Sequence, residues 1–363
     1  MRIVIVAVVV LLATGSGVVT VHSAPRLVSA ADAQTVDGLL AQYNGSVPGA
    51  AIAVIHNGRL AFGRTYGLAD LETDTRVTER TNFRLASLTK AFTAMAVMLL
   101  IRDRRLTLDT RVADIIPDFP AYGREIRIRH LLTHTSGLQA YEDFVPKSAT
   151  RLSDHDVIKL LKRTDRLLFR PGTAFRYGDS GYAVLAVVVE TISGRSFAAF
   201  LHDRIFAPLG MKSTIAWTPG STMRHRALGY AATSSGFRPA DQSVTSTVLG
   251  DGGVYSSVRD LVAWDRALDK RKLVDERLQQ LAWTPALLDD GTKTHYGFGW
   301  FIERDLRGTR LYHRGETTGF SHFIVKYPEL KTTLILLTNR QGGAADDIAT
   351  KIMTLPSLRV AAR

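Results

Sequence analysis

The tightest constraint on this fold is where its strand-like segments lie along the chain. Residues 50–55 read as a strand, His56-Asn57-Gly58 has hairpin-turn chemistry with Asn-Gly at its centre, and residues 59–66 supply the partner strand. Four more strand-like segments come only at the other end, at residues 297–304, 310–313, 320–327 and 332–337. Turn residues separate them at Arg307-Gly308-Thr309 and Pro328-Glu329-Leu330. Between the two groups the pattern is helical, at residues 91–101, 154–162, 182–192, 197–205, 258–268 and 275–283, with a first helix at 34–43 and a last at 344–353. The order therefore predicts an α+β fold: an antiparallel sheet assembled from both chain ends, flanked by helices, with an inserted, mostly helical lobe. The expected boundaries are residues 31–85 plus 296–358 for the sheet lobe and 86–295 for the helical lobe, with the active site in the crevice between them. A chain of 363 residues, 45% hydrophobic, is long enough to bury a large core.

The first 30 residues stand apart. Met1 and Arg2 precede the apolar run at residues 3–13, and a weaker apolar stretch reaches Val21, as in a secretory signal; an uncleaved anchor is the rival reading. Cleavage fits after Ser23 or after Ala33. The expected location is therefore secreted, periplasmic or cell envelope. There is no cysteine, which excludes disulfides, thiol chemistry and a lipoprotein anchor. The net charge of +12 favours contact with an anionic envelope surface. Its basic residues are scattered, without the aromatic-interleaved stripe of a nucleic-acid binder, so nucleic acid is not an expected partner.

Three short segments carry chemistry. In Ser87-Leu88-Thr89-Lys90 a serine stands three residues before a lysine at the start of an apolar helix. The pattern occurs about once by chance in such a chain, and Ser87 as a plain helix cap is the competing reading. A cap prefers acidic or neutral residues in the first turn, however, and here Lys90 sits at the positive end of the helix dipole. Dipole and apolar surroundings are expected to lower the lysine pKa, so that it activates the serine as a nucleophile. The second segment, Tyr177-Gly178-Asp179-Ser180, precedes another apolar helix. Tyr177 is a candidate proton shuttle between nucleophile and leaving group, while Asp179 or Ser180 is expected to cap the helix. The third, His313-Arg314-Gly315-Glu316, joins two strands. Gly315 permits close backbone approach, and His313 is a candidate donor near neutral pH. His130 and His134 have zinc-compatible spacing but lack the metalloprotease glutamate, so structural roles are favoured. No metal or organic cofactor is implied.

Taken in order, "FRLASLTKAFTAMAV", "IRHLLTHTSGL", "FRPGTAFRYGDSGYAVLAVVVE", "DGGVYSSVRDLVAW", "YGFGW" and "HRGETTGF" resemble the serine beta-lactamase and penicillin-binding-protein superfamily, in its class C beta-lactamase-like branch. The resemblance covers about residues 40–354 and implies a five-stranded antiparallel sheet with a helical second lobe. It makes Ser87 the acylated nucleophile, Lys90 its base partner and Tyr177 the proton shuttle. Asp179 stands at an asparagine position, and His313 and Gly315 match a Lys-Thr-Gly element. The backbone N–H groups of Ser87 and Glu316 would form the oxyanion hole. Two departures matter. Ionised Asp179 only accepts hydrogen bonds; beside Lys90 it would keep the ammonium charged and leave Tyr177 the stronger base candidate. His313 removes a permanent cation, which makes beta-lactamase activity a weaker expectation. Arg314 is a candidate replacement if strand alternation turns it toward the cleft. The expected function is an exported serine hydrolase acting through an acyl-enzyme on an ester or amide, of carboxylesterase or D-amino-acid peptidase type, with small-molecule or peptidoglycan-derived substrates. The alternative is a catalytically silent protein that binds an envelope ligand.

Overall fold

A computed structural model describes residues 27–360; the signal-like run lies outside them. The main sheet has six strands: β1 (Ala50–His56), β2 (Arg59–Tyr66), β3 (Phe301–Asp305), β4 (Gly308–Thr317), β5 (Phe320–Tyr327) and β6 (Thr332–Thr338). Their spatial order is β3-β4-β5-β6-β1-β2, antiparallel throughout. The two chain ends meet where β1 pairs β6, from Ala50 opposite Thr338 to His56 opposite Thr332. The sheet thus has one strand more than the resemblance implied, and β3 begins four residues later than its sequence pattern suggested, because Gly297 and Gly299 hold that stretch in tight turns against Ala282 and Ala91. The Asn-Gly hairpin forms as expected, with Asn57 at φ +52° and Gly58 at φ +69°.

Period-two alternation divides the core. Ala51, Ala53 and Ile55 of β1, with Ile335 and Leu337 of β6, face the helical lobe. Ile52 and Val54, with Leu334 and Leu336, face away from it and pack against α1 (Ala30–Leu39) and α6 (Ala345–Met353). Truncating one of these fully buried leucines to alanine costs about 2–5 kcal/mol. Among the helices between β2 and β3 are α2 (Lys90–Arg102), α3 (Asp154–Leu161), α4 (Ser180–Ser193) and α5 (Val258–Asp269). α2 is buried without interruption from Lys90 to Leu100, as its all-round apolar sequence required. α1 begins before Ala33, and its Asp32 carboxylate accepts the Ser357 N–H at 2.8 Å.

A three-stranded patch positions the site. Val254–Ser256 pairs with both Phe83–Arg84 and Ile215–Ala216. The Leu85 N–H donates to the Val254 carbonyl at 2.8 Å, and the Val254 N–H to Thr89 Oγ1 at 3.1 Å. These bonds lock the Ser87 segment beside the turn at Leu249–Gly252.

Candidate active site

Ser87 lies in a single 3-10 turn, Ala86–Thr89, that runs into α2. It makes no capping bond. Ala86, directly before it, is held at φ +49°, a left-handed conformation that costs an alanine about 1–2 kcal/mol. Such strain persists only where surrounding bonds over-determine the backbone, and it concentrates at functional sites.

The Lys90 side chain is fully buried, and all three ammonium donors are used: on Ser87 Oγ at 2.9 Å, Asp179 Oδ1 at 2.6 Å and the Asp251 carbonyl at 3.1 Å. Burial pushes this amine down, but Asp179, then Tyr177 and Asp251, push harder the other way, and the net displacement is upward. The expectation of a lowered lysine pKa is therefore overturned. Lys90 rests as an ammonium, because the carboxylate that the sequence put at the asparagine position lies against it. The same contact overturns the capping reading of Asp179, whose side chain makes no cap bond to α4. Ser180 does not cap either. Its hydroxyl donates to the Gln139 carbonyl at 2.7 Å and accepts the Tyr141 N–H at 3.0 Å.

The Tyr177 ring centroid lies 5.2 Å from Lys90 Nζ. Burial raises the phenol pKa, opposed by Lys90 and by hydrogen bonding to Ser87, and the net shift is upward, so it is a neutral phenol. His313 is buried behind it, at a ring separation of 5.8 Å. Its Nδ1 lies 2.7 Å from the Arg314 carbonyl, which fixes the proton there and leaves Nε2 to accept from the Tyr296 hydroxyl at 3.0 Å. Burial, then Lys90, brings its pKa down to about 3. His313 is thus neutral with both nitrogens engaged: of the two expected roles it donates a hydrogen bond, to the Arg314 carbonyl, but holds no proton to give near neutral pH.

A Cβ on Gly315 would stand 2.5 Å from the Leu85 carbonyl oxygen, so only glycine lets β4 approach the nucleophile segment this closely. Alternation turns the next residues outward. The Glu316 carboxylate accepts from Ser321 Oγ at 2.6 Å, and Arg314 pairs with Asp346 of α6 at 2.8 Å, on the face away from His313. Arg314 is therefore no replacement for the missing cleft cation. The zinc-compatible spacing of His130 and His134 does not become a shared helical face, because that helix spans Ile128–Leu132 and His134 lies beyond it at φ +56°.

Two carboxylates beside Asp179, Glu142 and Asp251, escaped the sequence reading. Glu142, Asp179 and Asp251 bring carboxylate oxygens within 4.8 Å of one another, and of the three carboxylates Lys90 bonds that of Asp179. Burial, then Asp179, raises Asp251 well above the carboxylate range, and Tyr141 donates to it at 2.9 Å. The same two causes push Glu142 up to about 7. The string "DGGVYSS" held the available signal for Asp251, since its acidic residue precedes two glycines that admit close packing.

The family model described as Beta-lactamase matches residues 33–354. Penicillin-binding protein 4* of Bacillus subtilis is 30% identical over 317 residues, covering 83% of this chain and 69% of the relative. A D-aminopeptidase of Gluconobacter oxydans is 30% identical over 289 residues, covering 78% of this chain and only 52% of the relative. Among solved structures, the octameric penicillin-binding protein homologue from Pyrococcus abyssi superposes with a TM-score of 0.76 at 24% identity, over 91% of this chain and 77% of that one. EstCE1, a hydrolase with promiscuous acyltransferase activity, superposes with a TM-score of 0.74 at 22% identity, over 92% of this chain and 100% of that one. With the family match spanning nearly all the described residues and the fold agreeing, the chain belongs to the beta-lactamase family.

Proposed function

We propose that this protein is an exported serine hydrolase that forms an acyl-enzyme on Ser87 and cleaves an ester or amide, of carboxylesterase or D-amino-acid peptidase type. One observation carries the proposal: a fully buried ammonium lies 2.9 Å from the only half-exposed hydroxyl in its turn. The apolar run after Arg2 supports export. A relative named D-aminopeptidase and a structural neighbour that is a hydrolase support the bond types. With no free cation at His313 to hold a substrate carboxylate, beta-lactam hydrolysis ranks below both.

Lys90 and Tyr177 both rest protonated, so attack needs a shuttle rather than a free base. Ser87 Oγ bonds to the substrate carbonyl carbon while its proton passes to the Tyr177 oxygen, and the phenol's own proton passes to the leaving group as that bond breaks. Lys90 stays charged and stabilises the negative charge that develops on Oγ. Water then repeats the path in reverse to release the acid. The backbone N–H groups of Ser87 and Glu316 hold the oxyanion.

Fluorophosphonate titration read by intact mass tests the proposal. A single adduct, absent in Ser87→Ala, is expected, followed by turnover in a panel of p-nitrophenyl acyl esters, D-alanyl peptides and a chromogenic cephalosporin. No adduct at any dose would instead identify a silent binder of an envelope ligand.

A further inference from the structure

His134 lies outside the contacts of Ser87 and Lys90, yet its geometry converges on Tyr177. Its carbonyl accepts the Arg176 N–H at 3.0 Å, and its ring Nδ1 accepts the Gly178 N–H at 3.4 Å. One residue thus holds the amides on both sides of Tyr177. Its ring also packs against the phenol, with centroids 4.4 Å apart. Tyr296 and Tyr182 close the box at 4.5 Å and 5.1 Å.

This arrangement is kept against two local penalties. His134 adopts a left-handed backbone at φ +56°, uncommon for any residue but glycine. Because Nδ1 is an acceptor, the ring proton sits on Nε2, which is buried without a partner. Burial, then Lys90 and His313, keep the ring neutral, which preserves Nδ1 as an acceptor. A histidine chosen only to fill space would satisfy its own donor. Here both costs hold the Tyr177 segment in place.

We infer that His134 is the positioning residue for Tyr177: its carbonyl and Nδ1 clamp the flanking amides, and its ring sets the direction of the phenol toward Ser87 and Lys90. This inference rests on the shuttle role proposed for Tyr177. It also separates two demands on the side chain. Positioning needs an acceptor at the Nδ1 place and tolerance of the left-handed backbone, and asparagine supplies both. Packing needs apolar volume, which leucine supplies better.

The test compares the fluorophosphonate labelling rate and thermal midpoint of wild type, Tyr177→Phe, His134→Asn and His134→Leu. Tyr177→Phe is expected to label about 10²–10³-fold more slowly. His134→Leu should slow labelling by about 10²-fold, the usual penalty for a catalytic group displaced by about 1 Å. His134→Asn should stay within about threefold of wild type even where its melting point is the lower of the two. Where the leucine variant fails to fold, His134→Gln takes its place, since its acceptor lies one methylene too far, and the same loss is expected. Equal slowing in the asparagine and leucine variants, or labelling that tracks melting point alone, would overturn the inference. So would a leucine variant at the wild-type rate beside a slow Tyr177→Phe, which leaves the shuttle standing. A Tyr177→Phe at the wild-type rate brings down the shuttle and this inference together.

Discussion

Among the described residues two lysines have fully buried side chains, and their surroundings differ in one respect. Lys326, on β5, donates to Asp265 at 2.9 Å, to Asp269 at 2.5 Å and to Thr333 at 3.4 Å. Its carboxylates belong to α5, so the cluster rivets that helix to the sheet. Lys90 also has a carboxylate at 2.6 Å, but its next partner is the half-exposed hydroxyl of Ser87, and Asp179 itself is 35% exposed. Burial and pairing are common to both. What distinguishes Lys90 is that two of its partners, Ser87 and Asp179, are partly exposed, where a reacting group can replace solvent. A buried ammonium is thus a poor sign of catalysis on its own, and an accessible nucleophile among its partners is the better one.

Removing each ammonium breaks the comparison most sharply. Lys90→Met should lower fluorophosphonate labelling of Ser87 by about 10³–10⁴-fold, the range for losing a group that acts directly on a nucleophile. Lys326→Met leaves Asp265 and Asp269 facing each other in a buried site and should cost about 3–5 kcal/mol, read by denaturant unfolding, while the folded fraction labels at the wild-type rate. Equal labelling loss in both variants would show that Lys90, too, serves mainly the fold.

Local pattern made much of this molecule legible. The apolar run of α2, the Asn57-Gly58 hairpin and the late strands announce themselves within a few residues. Ser87, Lys90 and Tyr177 came from short motifs, and the structure brings all three together. What stayed hidden depends on distant segments. Nothing near Lys90 in sequence reveals that a carboxylate 89 residues later reverses the direction of its pKa. Nothing near His313 reveals that Tyr296 and the Arg314 carbonyl consume its nitrogens. Arg314 was decidable in principle, since one step along a strand reverses the face, but which face meets the cleft becomes known only once Gly315 is seen against Leu85.

Neutralising the carboxylates sharpens the comparison at a smaller scale. In Asp179→Asn the largest upward push on Lys90 is gone and burial is opposed only by Tyr177 and Asp251, so the amine pKa falls. Lys90 then loses its proton as pH rises through that lower value. A labelling profile between pH 5 and 10 should gain a limb that climbs with pH, with the rate on its acid side about 10–10²-fold below wild type. Asp265→Asn, the same chemical change beside Lys326, should leave the profile unmoved and cost about 1–3 kcal/mol, less than the loss of Lys326 because Asp269 remains paired. Glu142→Gln gives a finer test. Its carboxyl titrates at about 7, raised by burial and Asp179, so wild type should show an inflection near pH 7 that the glutamine variant lacks, with a change in rate of a few-fold. An inflection that survives in Glu142→Gln would assign that titration to another group.

The smallest effect concerns the third acceptor of Lys90, a backbone carbonyl where Lys326 has the Thr333 hydroxyl. Asp154, buried at the start of α3, takes the Leu249 and Gly250 N–H groups on its two oxygens, both at 2.9 Å, and so holds the turn whose Asp251 carbonyl meets Lys90. Burial, opposed by those two bonds, raises its pKa from 3.8 to about 7. An acid raised in the folded state contributes stability that is complete below its unfolded pKa and is lost as pH rises through its folded one, here from about 4 to 7. Asp154→Asn cannot titrate and offers one acceptor where two are needed. Near pH 5 it should be less stable than wild type by about 1–3 kcal/mol, with labelling reduced only a few-fold. As pH rises to 8 the wild type loses its protonated advantage, so the gap in melting temperature between the two proteins should narrow. A gap that stays constant from pH 5 to 8 would mean that Asp154 does not carry the proton, and that an ionised carboxylate holds the turn beside Lys90.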